Sequence, residues 1–248
     1  MKKTIWIRLL LMLLTLILFF GGLLLYRLND KKPYDYSSYY VPKQKIKIPE
    51  IEVQTKEEEE SELSLELLRK TNPDIVGIIE FPDRIIYEPF VQAKDNEQYL
   101  RRNIEGNYAA AGTPFISGGS DLNAMNVVIY GHSGGRYAVV FTPLMNYLEK
   151  DFYDLHPGFV LHTLQEDRQY TIFAVLNVDP KDRNDTLEFT RDSWRKEADY
   201  SAFLTDMKKR SLYDTKVKVS SQDRIVTLVT CDTRDISKRI VVIAKEGR

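Results

Sequence analysis

Residues 224–231 read Arg-Ile-Val-Thr-Leu-Val-Thr-Cys, and this stretch carries the strongest structural signal of the chain. Its apolar and β-branched side chains predict a buried strand that ends at Cys231. A second run of the same kind, residues 238–245, follows a short polar segment. In that second run both alternating faces are apolar after Arg239, so we expect a strand that is covered on both sides.

Further short strand-like runs lie towards the N-terminus with turn residues between them. They cover residues 75–81, 84–91, 126–130, 159–163, 169–178 and 217–220. Many short strands at this spacing favour a β-barrel or sandwich over a parallel α/β sheet. Apolar residues at helical spacing predict helices at 57–71, 141–153 and 191–209. We expect the long last helix to pack against the strands.

The start of the chain predicts a membrane anchor. Residues 9–25 are almost wholly apolar, with basic residues on both sides. At ~1.5 Å per residue, and with Trp6 and Tyr26 as interfacial flanks, the run is long enough to cross ~30 Å of hydrocarbon. A cleaved signal peptide is the alternative, but no small-residue cleavage site follows before Arg27. We therefore expect an uncleaved, single-pass signal-anchor.

This anchor divides the chain into three parts. We expect residues 1–29 to form a cytoplasmic start and the transmembrane segment. The basic residues on the two sides of the apolar run balance, so the orientation is inferred from the signal-like start, which usually leaves the N-terminus inside the cell. Residues 30–54 contain three prolines without periodicity and predict an extracellular tether. Residues 55–248 suffice for one domain with a single core, which we place on the outer face of the cell membrane.

Composition excludes several classes of function. The 248 residues have a formal net charge of −1, so no nucleic-acid surface is indicated. The acidic run 57–60 is typical of a solvated helix start rather than a calcium site. With no metal-ligand cluster and no glycine-rich phosphate loop in the sequence, we expect no metal and no cofactor.

Cys231 is the only cysteine, so it cannot be half of an internal disulfide. One interpretation is a small buried core residue, as free cysteines often are. The other is a nucleophile that acts with a histidine such as His132. An unpaired thiol in an exported domain is open to oxidation, which favours a functional reason for keeping it.

The second chemical motif is Gly-His-Ser-Gly-Gly at residues 131–135, directly after the predicted strand 126–130. As Gly-x-Ser-x-Gly it matches a nucleophile elbow with Ser133 as nucleophile. The α/β-hydrolase fold, to which this elbow belongs, requires an acid and a histidine downstream. Only His156 and His162 follow, and they are too close to Ser133 for the βα units that would have to lie between. The alternative gives the function to His132, whose imidazole can take a proton from a thiol or return one to a leaving amine.

Five blocks of sequence lead to a family. They are residues 72–79 with Pro82 (Asn-Pro-Asp-Ile-Val-Gly-Ile-Ile), 95–100 (Asp-Asn-Glu-Gln-Tyr-Leu), 126–132 (Asn-Val-Val-Ile-Tyr-Gly-His), 227–232 (Thr-Leu-Val-Thr-Cys-Asp) and 239–242 (Arg-Ile-Val-Val). In this order the chain resembles the sortases, membrane-anchored cysteine transpeptidases of Gram-positive bacteria, and most closely class B. The predicted helix 191–209 resembles the insertion that marks that class.

The resemblance implies a mainly β fold, a sortase-like eight-stranded barrel with an N-terminal helix and a long helix inserted before the last strands. It implies three catalytic residues, Cys231 as nucleophile, His132 as acid-base and Arg239 as oxyanion or peptide-carbonyl donor. Arg234 lies in a loop-like stretch, where we expect it to be solvated or paired with an acid. Peptide-groove positions of class B correspond to Asn96, Leu100 and Thr230.

The implied reaction cleaves a C-terminal sorting signal of secreted surface proteins through a thioester and transfers the product to an amine. That amine would belong to a cell-wall precursor, or to a pilin lysine if this member builds pili. Two positions depart from the family pattern. Ile78 stands where an aromatic residue is common, and Val229 stands where class B often has serine, so no substrate hydrogen bond is expected from that side chain.

Two other functions remain open from the residues alone. An exported serine hydrolase would depend on Ser133 and not on Cys231. A non-catalytic anchored binding domain would keep Cys231 buried, and thiol reagents would leave the folded protein unlabelled.

Overall fold

A closed barrel of eight strands forms the centre of the protein. The computed structural model describes residues 12–22, 34–42, 61–134, 140–182 and 188–247. The strands are β1 (Tyr40–Pro42), β2 (Ser61–Leu63), β3 (Ile75–Glu80), β4 (Tyr87–Gln92), β5 (Phe115–Ile116), β6 (Asn126–Tyr130), β7 (Gly158–Thr163), β8 (Asp167–Val178), β9 (Ile225–Cys231) and β10 (Arg239–Glu246).

The helices precede the first strand or lie between the later ones. They are α1 (residues 12–22), α2 (Leu65–Thr71), α3 (Lys150–Leu155) and α4 (Glu197–Arg210), with short 3₁₀ helices at Ser37–Tyr39, Pro82–Arg84 and Thr142–Leu148. The barrel order is β10-β8-β7-β3-β4-β5-β6-β9, and β1 pairs with β2 outside it. Two of the barrel pairs, β4 with β5 and β6 with β9, are parallel, and the others are antiparallel. The prediction of a mainly β fold with an eight-stranded barrel is confirmed.

Strands β9 and β10 are buried on both faces, as their sequences predict. Side chains such as Leu228 and Val242 point into the barrel core, whereas Val241 and Ile243 belong to a second apolar cluster. Helix α4 covers that second cluster with its buried residues Tyr200, Leu204 and Met207. The predicted packing of the long helix against the strands is therefore found. It begins at Glu197 rather than residue 191, and Trp194 stacks near Tyr200 ahead of it.

Several element predictions need correction. Residues 217–220 form no strand; Val217 and Val219 pack instead on the cluster under α4. The helix predicted at 57–71 begins only at Leu65, where the Ser64 hydroxyl caps the Leu67 amide at 3.3 Å. The residues before it form strand β2, and 57–60 lie outside the described residues. The helix predicted at 141–153 is a 3₁₀ helix and α3, separated at Glu149, whose backbone is extended.

The segment of residues 34–42, called the N-terminal strap below, packs on the domain although the sequence assigns it to a tether. Its strand β1 pairs with β2, and Tyr39 is buried. The Ser64 amide donates to the Tyr39 carbonyl at 2.8 Å, and the Tyr34 hydroxyl donates to Glu105 at 2.8 Å. Lone aromatic contacts of this kind leave no periodic signal, which is why the sequence pattern missed them.

The predicted anchor, residues 9–25, is described only in part. Residues 12–22 are helical, and the ends of the run lie outside the described residues. Within the described ranges, no helix combines the length and the apolar character needed to cross a membrane.

Candidate active site

A pocket of about 320 Å³ opens where β6 and β9 end and β10 begins. All six residues that the sequence assigns to catalysis or to substrate binding line it. The lining residues are Asn96, Tyr99, Leu100, Thr113, Phe115, Tyr130, Gly131, His132, Val229, Thr230, Cys231 and Arg239. Because β6 pairs with β9 in the barrel, residues more than a hundred positions apart in the chain meet in this pocket.

Cys231 and Arg239 are direct partners in the antiparallel register of β9 and β10. Cys231 is the last residue of its strand and Arg239 the first of the next, so both side chains lie at the barrel rim and both are only half-buried. The guanidinium donates from Nη1 to the carbonyls of Lys238 at 2.8 Å and Ile236 at 3.0 Å. These bonds hold the arginine at the pocket, and among the described residues no hydrogen bond occupies its other guanidinium nitrogens.

His132 follows β6, which runs parallel to β9, and so arrives beside the end of the cysteine strand. The Gly131 amide donates to the Val229 carbonyl at 3.1 Å and extends that pairing up to the histidine. Gly131 is needed here because a Cβ would lie 2.5 Å from the ring of Phe141. A close approach of this kind accepts glycine and rejects any larger residue.

The ring of His132 is held by a main-chain group. Its Nε2 lies 2.8 Å from the carbonyl oxygen of Leu100. A carbonyl only accepts, so Nε2 carries the hydrogen and a neutral ring keeps its lone pair on Nδ1. Burial lowers the pKa of His132 below its usual value; the Leu100 bond opposes this shift and the charge of Arg101 adds to it.

Two hydroxyl groups join the cysteine strand to the histidine segment. Thr230 Oγ1 donates to the Gly131 carbonyl at 2.8 Å, and the Ser133 hydroxyl donates to the Cys231 carbonyl. Thr230 thus lines the pocket with its hydroxyl bonded to the scaffold. The Ser133 hydroxyl is likewise bonded to main chain, an arrangement that suits a structural role better than that of a nucleophile.

Arg234, the other arginine of this segment, is paired with an acid as predicted. Its guanidinium donates to the buried carboxylate of Asp232 at 3.1 and 3.2 Å, and Asn177 donates to the same carboxylate at 3.0 Å. Burial pushes the pKa of Asp232 up, but the hydrogen bonds from Arg234 outweigh it and hold that pKa below its ordinary value. Arg234 is not among the residues that line the pocket.

The loop of Asn96 and Leu100 forms the opposite wall. Asn96 Oδ1 accepts from the Gly118 amide at 2.7 Å, which fixes the side chain at the rim. Leu100 is 38% exposed and presents its side chain to the pocket while its carbonyl holds His132.

Sequence reasoning missed the aromatic lining of Tyr99, Phe115 and Tyr130. Tyr130 ends the predicted strand 126–130, which is the one signal that could have placed it near His132. Phe115 lies in the two-residue strand β5, too short for any periodic pattern.

Comparisons with known proteins agree with this geometry. The sortase domain model matches residues 79–247. Sortase B of Listeria monocytogenes is 34% identical over 179 residues, which cover 71% of this chain and 70% of that protein. The chain belongs to the sortase family, in class B.

Solved structures of class B sortases have the same fold. The Staphylococcus aureus sortase B–substrate complex has a TM-score of 0.67 and 31% identity, covering 74% of this chain and 84% of that one. A sortase B complexed with triglycine has a TM-score of 0.67 and 31% identity, covering 74% and 85%. This protein is accordingly a cysteine transpeptidase that acts on surface proteins.

Proposed function

We propose that this class B sortase uses Cys231, His132 and Arg239 to cleave a C-terminal sorting signal and to pass the new carboxyl end to an amine. The observation that carries the proposal is the register pairing of Cys231 with Arg239 in a pocket whose wall contains His132. A nucleophile, a proton carrier and a fixed cation at one site are the parts that acyl transfer requires.

The first half of the reaction forms a thioester. His132 takes the thiol proton on Nδ1, and the Cys231 thiolate attacks a carbonyl carbon of the bound peptide. Arg239 donates hydrogen bonds to the oxygen on which charge develops, and its fixed charge suits an oxyanion. The intermediate then collapses, the C–N bond breaks, and the proton on Nδ1 passes to the leaving amine.

The second half transfers the acyl group. An incoming amine attacks the thioester carbonyl, gives its proton to His132, and expels the Cys231 thiolate, which takes the proton back. The Leu100 bond to Nε2 stays in place throughout, because that nitrogen carries a hydrogen in both the neutral and the charged ring.

The partners follow from this chemistry and from the solved relatives. One relative holds a substrate and another holds triglycine, a peptide that presents a primary amine. We infer a sorting-signal peptide of a secreted surface protein as donor and a cell-wall precursor amine as acceptor. A pilin lysine supplies the same nucleophile and is the acceptor in the alternative case of pilus assembly.

Product analysis tests the transfer. Purified protein given a sorting-signal peptide should release the C-terminal fragment, and added triglycine should convert the N-terminal fragment into its glycine adduct. Hydrolysis product alone, unchanged by triglycine or by other amines, would contradict a transpeptidase and indicate a peptidase.

We also propose that the chain is anchored in the cell membrane by residues 9–25, with the catalytic domain on the extracellular face. The apolar run and its interfacial flanks support this placement. Substrates exported to the same surface would then meet the enzyme there.

Deleting residues 1–32 should move the protein from the membrane fraction to the soluble fraction with its peptide cleavage intact. A deletion through residue 42 also removes the N-terminal strap, so the free energy of unfolding should fall by about 2 kcal/mol or more, the scale of one buried aromatic side chain. Fractionation and thermal melting of both truncations provide the measurements. The matched control is Tyr39→Ala in the shorter deletion, which should fall between the two; equal melting of all three would show that the strap does not stabilise the domain.

Arg239→Lys should lower turnover about 10²-fold, the scale of one lost oxyanion donor, with little change in melting temperature. Lysine keeps the charge but lacks the planar fork that reaches both the carbonyls and a ligand. Arg234→Lys is the control, because that arginine pairs with Asp232 away from the pocket lining. Inactive Arg234→Lys beside active Arg239→Lys would reverse the assignment, and unfolding of Arg239→Lys would make this arginine structural.

A further inference from the structure

The loop between β4 and β5, residues 93–114, holds the acceptor of the catalytic histidine. Within it, the segment 109–113 lies against the segment 99–102. The Ala109 amide donates to the Arg101 carbonyl at 3.0 Å, and the Thr113 amide donates to the Tyr99 carbonyl at 3.1 Å. Thr113 Oγ1 adds a bond to the Arg102 carbonyl at 2.8 Å. Segment 109–113 therefore determines where the carbonyls of segment 99–102 point.

One of the carbonyls in the second segment belongs to Leu100 and accepts from His132 Nε2 at 2.8 Å. Because the acceptor is a main-chain oxygen, the side chain at position 100 does not determine the hydrogen bond to His132. The orientation of the ring, and with it the direction of Nδ1, depends on how the loop backbone is packed.

Gly112 packs directly against this carbonyl. Its φ is +63°, in the region that favours glycine. A Cβ at this position would lie 2.6 Å from the Leu100 oxygen and 2.8 Å from the Tyr99 oxygen. Both are main-chain atoms, so neither can rotate away as a flexible side chain would.

We propose that Gly112 is a positioning residue for catalysis: the absence of a side chain lets its turn lie directly against the Leu100 carbonyl and fixes that carbonyl where it orients the His132 ring. The proposal rests on the proposed acid-base role of His132. It assigns no contact with substrate to Gly112 itself.

The test compares Gly112→Ala with Gly106→Ala. Gly106 lies in the same loop and also has a positive φ, +82°, but a Cβ there would meet nothing within 4 Å. Both variants carry the backbone strain of a side chain at positive φ, and only Gly112→Ala adds an atom against the Leu100 carbonyl. The comparison thus separates strain from displacement.

We expect kcat for peptide cleavage to fall about 10- to 100-fold in Gly112→Ala, with a smaller change in KM, because misdirection of an acid-base group affects the chemical step. Gly106→Ala should stay near the wild type. NMR titration of the His132 ring gives an independent readout. The Leu100 bond favours the charged ring, so its loss should lower the pKa of His132 further in Gly112→Ala alone.

The other charged or titratable groups near the ring, Arg101, Cys231 and Arg239, are unchanged in both variants. If Gly112→Ala folds and matches Gly106→Ala in kcat and in the His132 titration, the proposal is wrong. If Gly112→Ala does not fold, Thr113→Val decides, because it removes the bond to the Arg102 carbonyl and adds no atom near Leu100. It should shift the His132 titration in the same direction, and an unchanged titration would overturn the proposal.

Failure of the catalytic assignment is distinguishable from these outcomes. An active His132→Ala would remove the proposed function of the histidine. The NMR comparison of the two glycine variants would still report whether Gly112 orients the ring.

Discussion

We expect Cys231→Ala to abolish cleavage of a sorting-signal peptide and to leave the barrel folded. The variant lacks the only thiol of the chain, so no thioester can form, whereas the loss of one half-buried sulfur atom costs roughly 1 to 2 kcal/mol of stability. The measurement is peptide cleavage together with the melting temperature. Wild-type enzyme that is mixed with substrate and quenched should show an acyl adduct on the peptide that contains Cys231.

The same experiment, with thiol labelling added, also tests the two other functions that the residues alone allow. A serine hydrolase that uses Ser133 would keep its turnover in Cys231→Ala and would show no adduct on the cysteine. A non-catalytic binding domain would leave Cys231 unlabelled by thiol reagents in the folded wild type. Normal turnover by Cys231→Ala would end the assignment of this residue as the nucleophile.

The sequence predicts some elements of this fold and not others. The sequence predicts β9 and β10 clearly. Each is covered by the barrel core on one face and by α4 or its cluster on the other, so its residues are apolar at nearly every position. The segment at 217–220 alternates apolar and polar residues, as a strand with one buried face would, but it forms no strand. Its valines pack under α4, and alternation alone does not supply a pairing partner.

The candidate site shows the same division. Side-chain chemistry together with the resemblance to the sortases predicts Cys231, His132 and Arg239, since few residue types can act as nucleophile, proton carrier and fixed cation. The group that orients His132 is a main-chain carbonyl, which has no signature in a sequence. Its placement depends on a close contact at Gly112, and a lone glycine in a loop only indicates a turn.

The N-terminal strap was missed for a related reason. Its attachment includes a three-residue strand pair, the buried Tyr39 and a contact of Tyr36 with Glu88. Burial raises the pKa of Glu88 to about 7, and its hydrogen bond with Tyr36 opposes that shift. Isolated contacts hold this segment, and no periodic pattern in the sequence predicts them.

His132→Ala should lower turnover by roughly 10²- to 10⁴-fold, the contribution of a positioned acid-base group. The loss affects both halves of the reaction, because the same Nδ1 accepts the thiol proton in the first half and the proton of the incoming amine in the second. Wild-type kcat/KM should fall as the pH drops through the pKa of His132, which burial places below 6.5. The variant should lack this acidic limb, and a pH series of peptide cleavage measures both effects.

Ser133→Ala is the matched control, one residue away in the same glycine-rich turn. Its hydroxyl donates to the Cys231 carbonyl, so the change should cost about 1 kcal/mol of stability and leave most of the turnover. His132→Ala therefore tests proton transfer, and Ser133→Ala tests the structural hydrogen bond of the adjacent residue. An inactive Ser133→Ala beside an active His132→Ala would transfer the chemistry to the serine, and equal, small losses in both would remove the histidine from the mechanism.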